Sequence, residues 1–220
     1  MSSVNGRAGQ ASTPALPHSH TPAPRMPDDL DLAPGTLLVA PPTLGDPHFR
    51  RSVVLLCDHS ATEGSFGLSL GQPLEQDLSV SDVVDLGEPA ARLHGDDFGL
   101  ALGGPVQPET LHYLHRHPEA LPGAIEIAED VWWGGDFEDV KTLLASGAAT
   151  PRSLRFFVGY AGWGVGQLRA ELDQDGWILA DADAELIFPE SLDAFWRLVM
   201  RRMGGEYALL SNFPDDPRMN

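Results

Sequence analysis

The 220-residue sequence holds one cysteine, Cys57, and one lysine, Lys141. A lone thiol excludes an intramolecular disulfide and any zinc site built on several thiolates, and it fits a reducing compartment. Basic residues number 14 against 32 acids, for a formal net charge of -18. The arginines are scattered, and neither of the pairs Arg50–Arg51 and Arg201–Arg202 makes a stripe that would neutralise a phosphodiester backbone. Direct binding to nucleic acid is therefore disfavoured. No apolar run is long enough to span a bilayer, and the N-terminus lacks the apolar core of a secretory signal. These absences point to a cytoplasmic protein with no membrane partner. There is also no G-x-S-x-G elbow, and Ser65 and Ser69 lack the strand–turn–helix setting that exposes a serine nucleophile.

What is present begins with a tail. Residues 1–33 carry five prolines with much Ala, Ser and Thr and almost no periodic apolar pattern, which is the composition of a disordered segment. Residues 34–220 are long enough for one domain with a sizeable core. TLLVA (36–40) and SVVLLC (52–57) are apolar on both faces, as strands covered on both sides are. FGLSL (66–70), TLHYLH (110–115), AIEIA (124–128), LRFFVGY (154–160) and WILA (177–180) read as further strands. DFEDVKTLLASG (136–147) is a helix with Asp136 as cap and Gly147 as stop. Helices are also expected within 78–86, up to Leu172 after the glycine-rich loop, and over 191–204, while LGGPV (102–106) is a turn. The expected class is α/β in the mixed α+β sense: a single domain of mixed sheets flanked by helices, with no regular βαβ rhythm and no repeat.

The stretch GYAGWGVGQLRAEL (159–172) invites a nucleotide-binding reading. Gly162, Gly164 and Gly166 give G-x-G-x-G, with the third glycine one place early for a dinucleotide fingerprint, and no Gly-Lys follows to make a P-loop. A tight strand-to-helix turn is the plainer reading, with glycines allowing close approach. Cys57 and His59 sit at i, i+2 in a strand, which directs both side chains to one face, where an imidazolium would raise the thiolate fraction. About 6.5 Å separates such positions, too far for a direct hydrogen bond unless the strand bends, and a buried cysteine beside a strand-end histidine is the alternative. His112, His115 and His117 do not converge as a set on a strand, so no metal site and no cofactor is expected. Acid pairs such as Asp96–Asp97 and Asp215–Asp216 read as solvated surface in so acidic a chain. Trp132 and Trp133, being adjacent, face opposite sides of a strand, so either one faces outward or into a partner, or the strand is buried on both sides.

Taken in order, GDPHFRRSVVLLCDH (45–59), FGLSLGQPL (66–74), LGGPV (102–106), GYAGWGVGQLRAEL (159–172), WILADADAELIF (177–188) and FWRLVMRRMG (195–204) resemble the YqgE/AlgH family of bacterial proteins. The resemblance runs from about Gly35 to Gly204. It implies a single domain of mixed sheets and helices in a family without an established biochemical activity, some members being described as transcriptional regulators. Where the family often has Asn before a basic residue and Pro, this chain has Gly71, Gln72 and Pro73. The expectation is a binding or regulatory module for a small molecule or protein, without established catalysis. Asp46, His59, Tyr160, Trp163 and Gln167 are expected to border one groove, since strand ends and the loops after them gather ligands in α/β folds. The alternative is a thiol-based enzyme or redox sensor using Cys57 with His59.

Overall fold

The structure, a computed structural model, describes residues 32–74, 78–87, 95 and 97–214. The expected tail lies outside the described residues except for Leu32 and Ala33, as do His18, His20, His94, Asp96, Asp215 and Asp216.

Among the described residues, nine strands and six helices follow one another. The strands are β1 (Thr36–Val39), β2 (Val53–Ser60), β3 (Gly64–Ser69), β4 (Leu100–Leu102), β5 (Val106–His115), β6 (Ile125–Ala128), β7 (Val131–Trp133), β8 (Leu154–Trp163) and β9 (Ile178–Asp181). Helices α1 (Val80–Val83), α2 (Phe137–Ser146), α3 (Gln167–Leu172), α4 (Ala184–Ile187), α5 (Phe195–Met203) and α6 (Gly205–Leu210) flank them. The sheet order is β6-β7-β5-β8-β3-β2-β1-β9, antiparallel throughout except that β4 pairs parallel to β8. The sheet curls, for Gly35 at the start of β1 comes so near Ile127 of β6 that a Cβ there would lie 2.5 Å from the Ile127 carbonyl oxygen. The mixed α/β architecture expected from the sequence is what the chain adopts.

The apolar runs on both faces of β1 and β2 do cover both sides. Leu37, Val39, Val53, Leu55 and Cys57 pack beneath α5, which buries Phe195, Trp196, Val199, Met200 and Met203 on one face. Leu38, Val54 and Leu56 face the other way, against Trp163, Leu168, Trp177 and Leu179. A third cluster seats α2 by Val140, Leu143 and Leu144 on Tyr113, Leu154 and Phe156. Helix α2 is capped as read: Asp136 accepts from the Glu138 amide, and Gly147 closes it in the left-handed conformation.

Several boundaries differ from the sequence reading. The helix sought in 78–86 is the single turn α1, and the one sought from 191 starts at Phe195. Strand β8 runs on through Gly162 to Trp163, so only Gly164–Gly166 form the loop. Strand β4 and helices α4 and α6 are additions, each only three to six residues long. Gly71 leaves room for Phe195 of α5, because a Cβ there would lie 2.7 Å from its ring, and Gln72 donates to the His48 carbonyl at 2.7 Å.

The glycines of LGGPV have a topological cause. Residues 156–158 of β8 pair with β4 on one edge and with β5 on the other, so the chain from Leu102 to Val106 must cross β8. It crosses at Gly159: a Cβ on Gly159 would lie 2.6 Å from the Gly104 carbonyl oxygen, and one on Gly104 would strike the Tyr160 carbonyl. Both glycines also have positive φ, +65° and +155°. Steric exclusion and backbone conformation thus select glycine together. Gly159→Ala is expected to lower the unfolding free energy by roughly 3 kcal/mol or more, through strain and overpacking. Gly164→Ala, whose Cβ would meet nothing nearer than Gln167 Oε1 at 3.8 Å, is expected to change it by less than about 1 kcal/mol. Urea denaturation of the two variants checks the contrast.

Candidate functional site

Of the expected groove residues, His59, Tyr160 and Trp163 lie at the end of the sheet where β2, β3 and β8 are side by side. Directly opposed residues on antiparallel strands point to one face. His59 pairs with Ser65 and Ser65 with Trp163, which makes one row on the face that carries α3. Asp58, Phe66 and Gly162 make the next row, on the opposite face. Tyr160 lies on that second face too, its ring 4.9 Å from that of Phe66.

Two clefts result, back to back around Gly64 and Ser65. One, of about 410 Å³, is lined by Asp58, Glu63, Phe66, Val106, Tyr160, Gly162 and Trp163. The other, of about 460 Å³, is lined by His59, Ser60, Gly164, Gly166, Leu168 and Arg169. His59 Nδ1 lies 2.8 Å from Ser65 Oγ, an imidazole–hydroxyl pair that dismissing Ser65 on motif grounds had missed. His59 and Tyr160 therefore reach cleft walls on opposite faces, not one common groove.

Trp163 borders the first cleft together with Tyr160, but most of its ring is packed inside. It is only 5 % exposed, stacked 6.2 Å from Phe49 and edge-on to Trp177 at 6.0 Å. Its indole N–H donates to Glu171 Oε2 at 2.9 Å, and the Trp177 indole donates to the same oxygen at 2.8 Å. Gln167 donates to Glu171 Oε1 at 2.9 Å and accepts from the Gly164 amide at 3.0 Å. One carboxylate thus satisfies two indoles and an amide while fixing the glycine loop to α3. Glu171 carries no sequence motif; its spacing of four from Gln167 was the only local signal. Asp46 lines neither cleft. It accepts from the His48 and Phe49 amides at 2.8 and 3.3 Å, capping the turn that presents Phe49 to the two tryptophans.

Cys57 is 2 % exposed, and its thiol donates to the Leu55 carbonyl at 3.6 Å. Burial, the largest influence, pushes the thiol far above its ordinary range. The ladder between β2 and β3 shifts register between Leu56 and Asp58, so Cys57 is the extra residue of a β-bulge. The bulge keeps Cys57 and Asp58 on one face and turns His59 to the other. The shared face expected from i, i+2 spacing is lost for that reason.

The histidine series is also dispersed. His112 joins the rings of Phe66, Trp133 and Tyr160, at 5.2, 6.4 and 5.7 Å. His115 is fully buried: Nε2 donates to the Gly134 carbonyl at 3.0 Å, and Nδ1 accepts from the His117 amide at 3.1 Å. His117 Nε2 lies 2.8 Å from Ser153 Oγ. Among the described residues, no group of three or more His, Cys, Asp or Glu is placed to hold a metal ion, and no helix is long and apolar enough to cross a membrane.

A curled, mainly antiparallel sheet flanked by helices, with two clefts at one end, defines the class. The AlgH-like family pattern matches residues 37–208, and the chain belongs to that family. A UPF0301 protein of Cytophaga hutchinsonii is 42% identical over 190 residues, covering 86% of this chain and all of the relative, 100%. One from Chlorobium limicola is 38% identical over 191 residues, covering 86% and 96%. Among solved structures, a crystal structure of a Corynebacterium diphtheriae protein superposes with a TM-score of 0.68 at 25% identity, over 84% of this chain and 94% of that one. The solution structure of the AlgH protein from Pseudomonas aeruginosa gives 0.62 at 26% identity, over 82% and 93%.

Two predictions follow from these contacts. Glu171→Leu strands two indole N–H groups and is expected to destabilise the fold by about 2 kcal/mol, with a change in tryptophan emission before unfolding. Desolvation, the largest influence on each, lowers the pKa of His112, His115 and His117 in the folded protein. The unfolded chain therefore binds protons that the native one refuses, so stability present above about pH 6.5 is lost as the pH falls through the lower folded values. The urea midpoint is expected to drop between pH 7 and pH 5, and the drop to shrink in His115→Gln.

Proposed function

We propose that this protein is a cytoplasmic binding module without catalysis of its own, and that the cleft on the Tyr160 face of the sheet takes an organic cation. One observation carries this reading: the rings of Phe66 and Tyr160, 4.9 Å apart, stand in one cleft with Asp58 and Glu63, whose carboxylates make no ion pair among the described residues. An aromatic face and an unpaired carboxylate together suit an ammonium or guanidinium group, by cation–π attraction and by charge. His112 and Trp133 back the rings from behind. The surrounding charge supports the same sign of ligand, since the chain carries -18 overall and would concentrate cations near its surface. His59 and Ser65 supply a polar second cleft on the other face, while Trp163, Gln167 and Asp46 act as its scaffold.

Thiol chemistry is less well supported, because Cys57 is buried with a raised pKa and His59 faces away from it. Direct DNA contact is opposed by the same net charge.

Titration with tetramethylammonium and arginine methyl ester, followed by calorimetry at low salt, tests the proposal. Binding is expected for both, weakened about threefold to thirtyfold by Tyr160→Leu and reduced by Asp58→Asn or by added salt. No binding of either cation, or equal binding by wild type and both variants, contradicts it.

A further inference from the structure

At the other end of β8 stands a cation, Arg155, with no carboxylate partner among the described residues. The Arg155 guanidinium donates through Nη1 to the Ile187 carbonyl and through Nη2 to the Leu70 carbonyl, both at 2.7 Å, and lies 5.0 Å from the centre of the Phe157 ring. Among the described residues, no carboxylate pairs with it, and its hydrogen-bond acceptors are these two carbonyls. Desolvation lowers the guanidinium to about 10, far below its ordinary value. A partly buried charge with no counter-charge is costly, and carbonyl dipoles offset only part of that cost.

Arg155 also lines a cleft of about 270 Å³ whose walls are mostly apolar, with Phe98, Leu100, Leu154, Phe156 and Leu192 beside the polar Glu190 and Ser191. Glu190 stands at this cleft, but its carboxylate is bound to Arg152 at 2.7 Å. We propose that this cleft binds a small monocarboxylate with an apolar body, the carboxylate received by the Arg155 guanidinium and the hydrocarbon by Phe98, Leu100, Phe156 and Leu192. A planar carboxylate matches the guanidinium fork, and its single charge balances a single cation. The second charge of a phosphate would find no further cation on this wall and would face Glu190. The cleft is eight residues along β8 from Trp163, roughly 26 Å of strand, so it is independent of the cation cleft.

Calorimetric titration with octanoate tests this site, with octylamine and inorganic phosphate as opposing probes. Octanoate is expected to bind wild type at one site, and neither opposing probe to bind there. Arg155→Gln is expected to weaken octanoate about tenfold or more, the scale of a charge-assisted hydrogen bond. Because Arg155 also ties two carbonyls, that variant can fail to fold; Leu192→Trp then decides alone, by filling the cleft from a half-buried position and leaving Arg155 in place. Loss of octanoate binding in folded Leu192→Trp supports the site. Absence of octanoate binding to wild type, equal binding by octylamine, displacement by phosphate, or an unchanged dissociation constant in Leu192→Trp overturns it.

Discussion

The crossing of the chain over β8 is the constraint on which the rest depends. A strand that pairs with β4 and β5 along one half, and with β3 along the other, joins both halves of the sheet. That arrangement needs the segment from Leu102 to Val106 to pass against the backbone of β8, at a distance only glycine permits at 104 and 159. Once the crossing is made, β8 is held on both edges over residues 156–158 and by β3 at its far end, and its alternating side chains supply all three apolar clusters: Phe157 to one, Leu154 and Phe156 to another, Ala161 and Trp163 to the third. Its two ends then become the two places where polar groups collect.

Local signals were legible and long-range ones were not. Helix α2 could be read nearly to the residue because cap, period and stop all lie within twelve residues of sequence. The two-sided burial of β1 and β2 was equally plain from their unbroken apolar runs. The end of β8 was misread, since glycine is a poor strand residue and Gly162 looks like loop until its pairing with Phe66 is known. The positions of Trp163 and His59 were hidden for a related reason. Trp163 is buried by Phe49, Trp177 and Glu171, which come from three separate segments, and His59 is turned by a bulge that has no local signature. The family was legible because its motifs are strung in order along the whole domain.

The bulge at Cys57 also sorts the chemistry of the cleft end. It sends the thiol into the core beneath α5, sets Asp58 beside the aromatic rings, and leaves His59 against Ser65 on the far side. Three consecutive residues thereby serve three environments: apolar, acidic–aromatic and polar. The binding reading depends on that division, for a thiolate at Cys57 assisted by His59 would need both on one face.

The most direct measurement is therefore the alkylation rate of Cys57 in the native protein as a function of pH, with His59→Ala alongside. A buried thiol of raised pKa is expected to stay unmodified until the protein unfolds, at the same rate in both proteins. Rapid modification of the native protein near neutral pH, slowed by His59→Ala, would contradict this and put thiolate chemistry in place of binding.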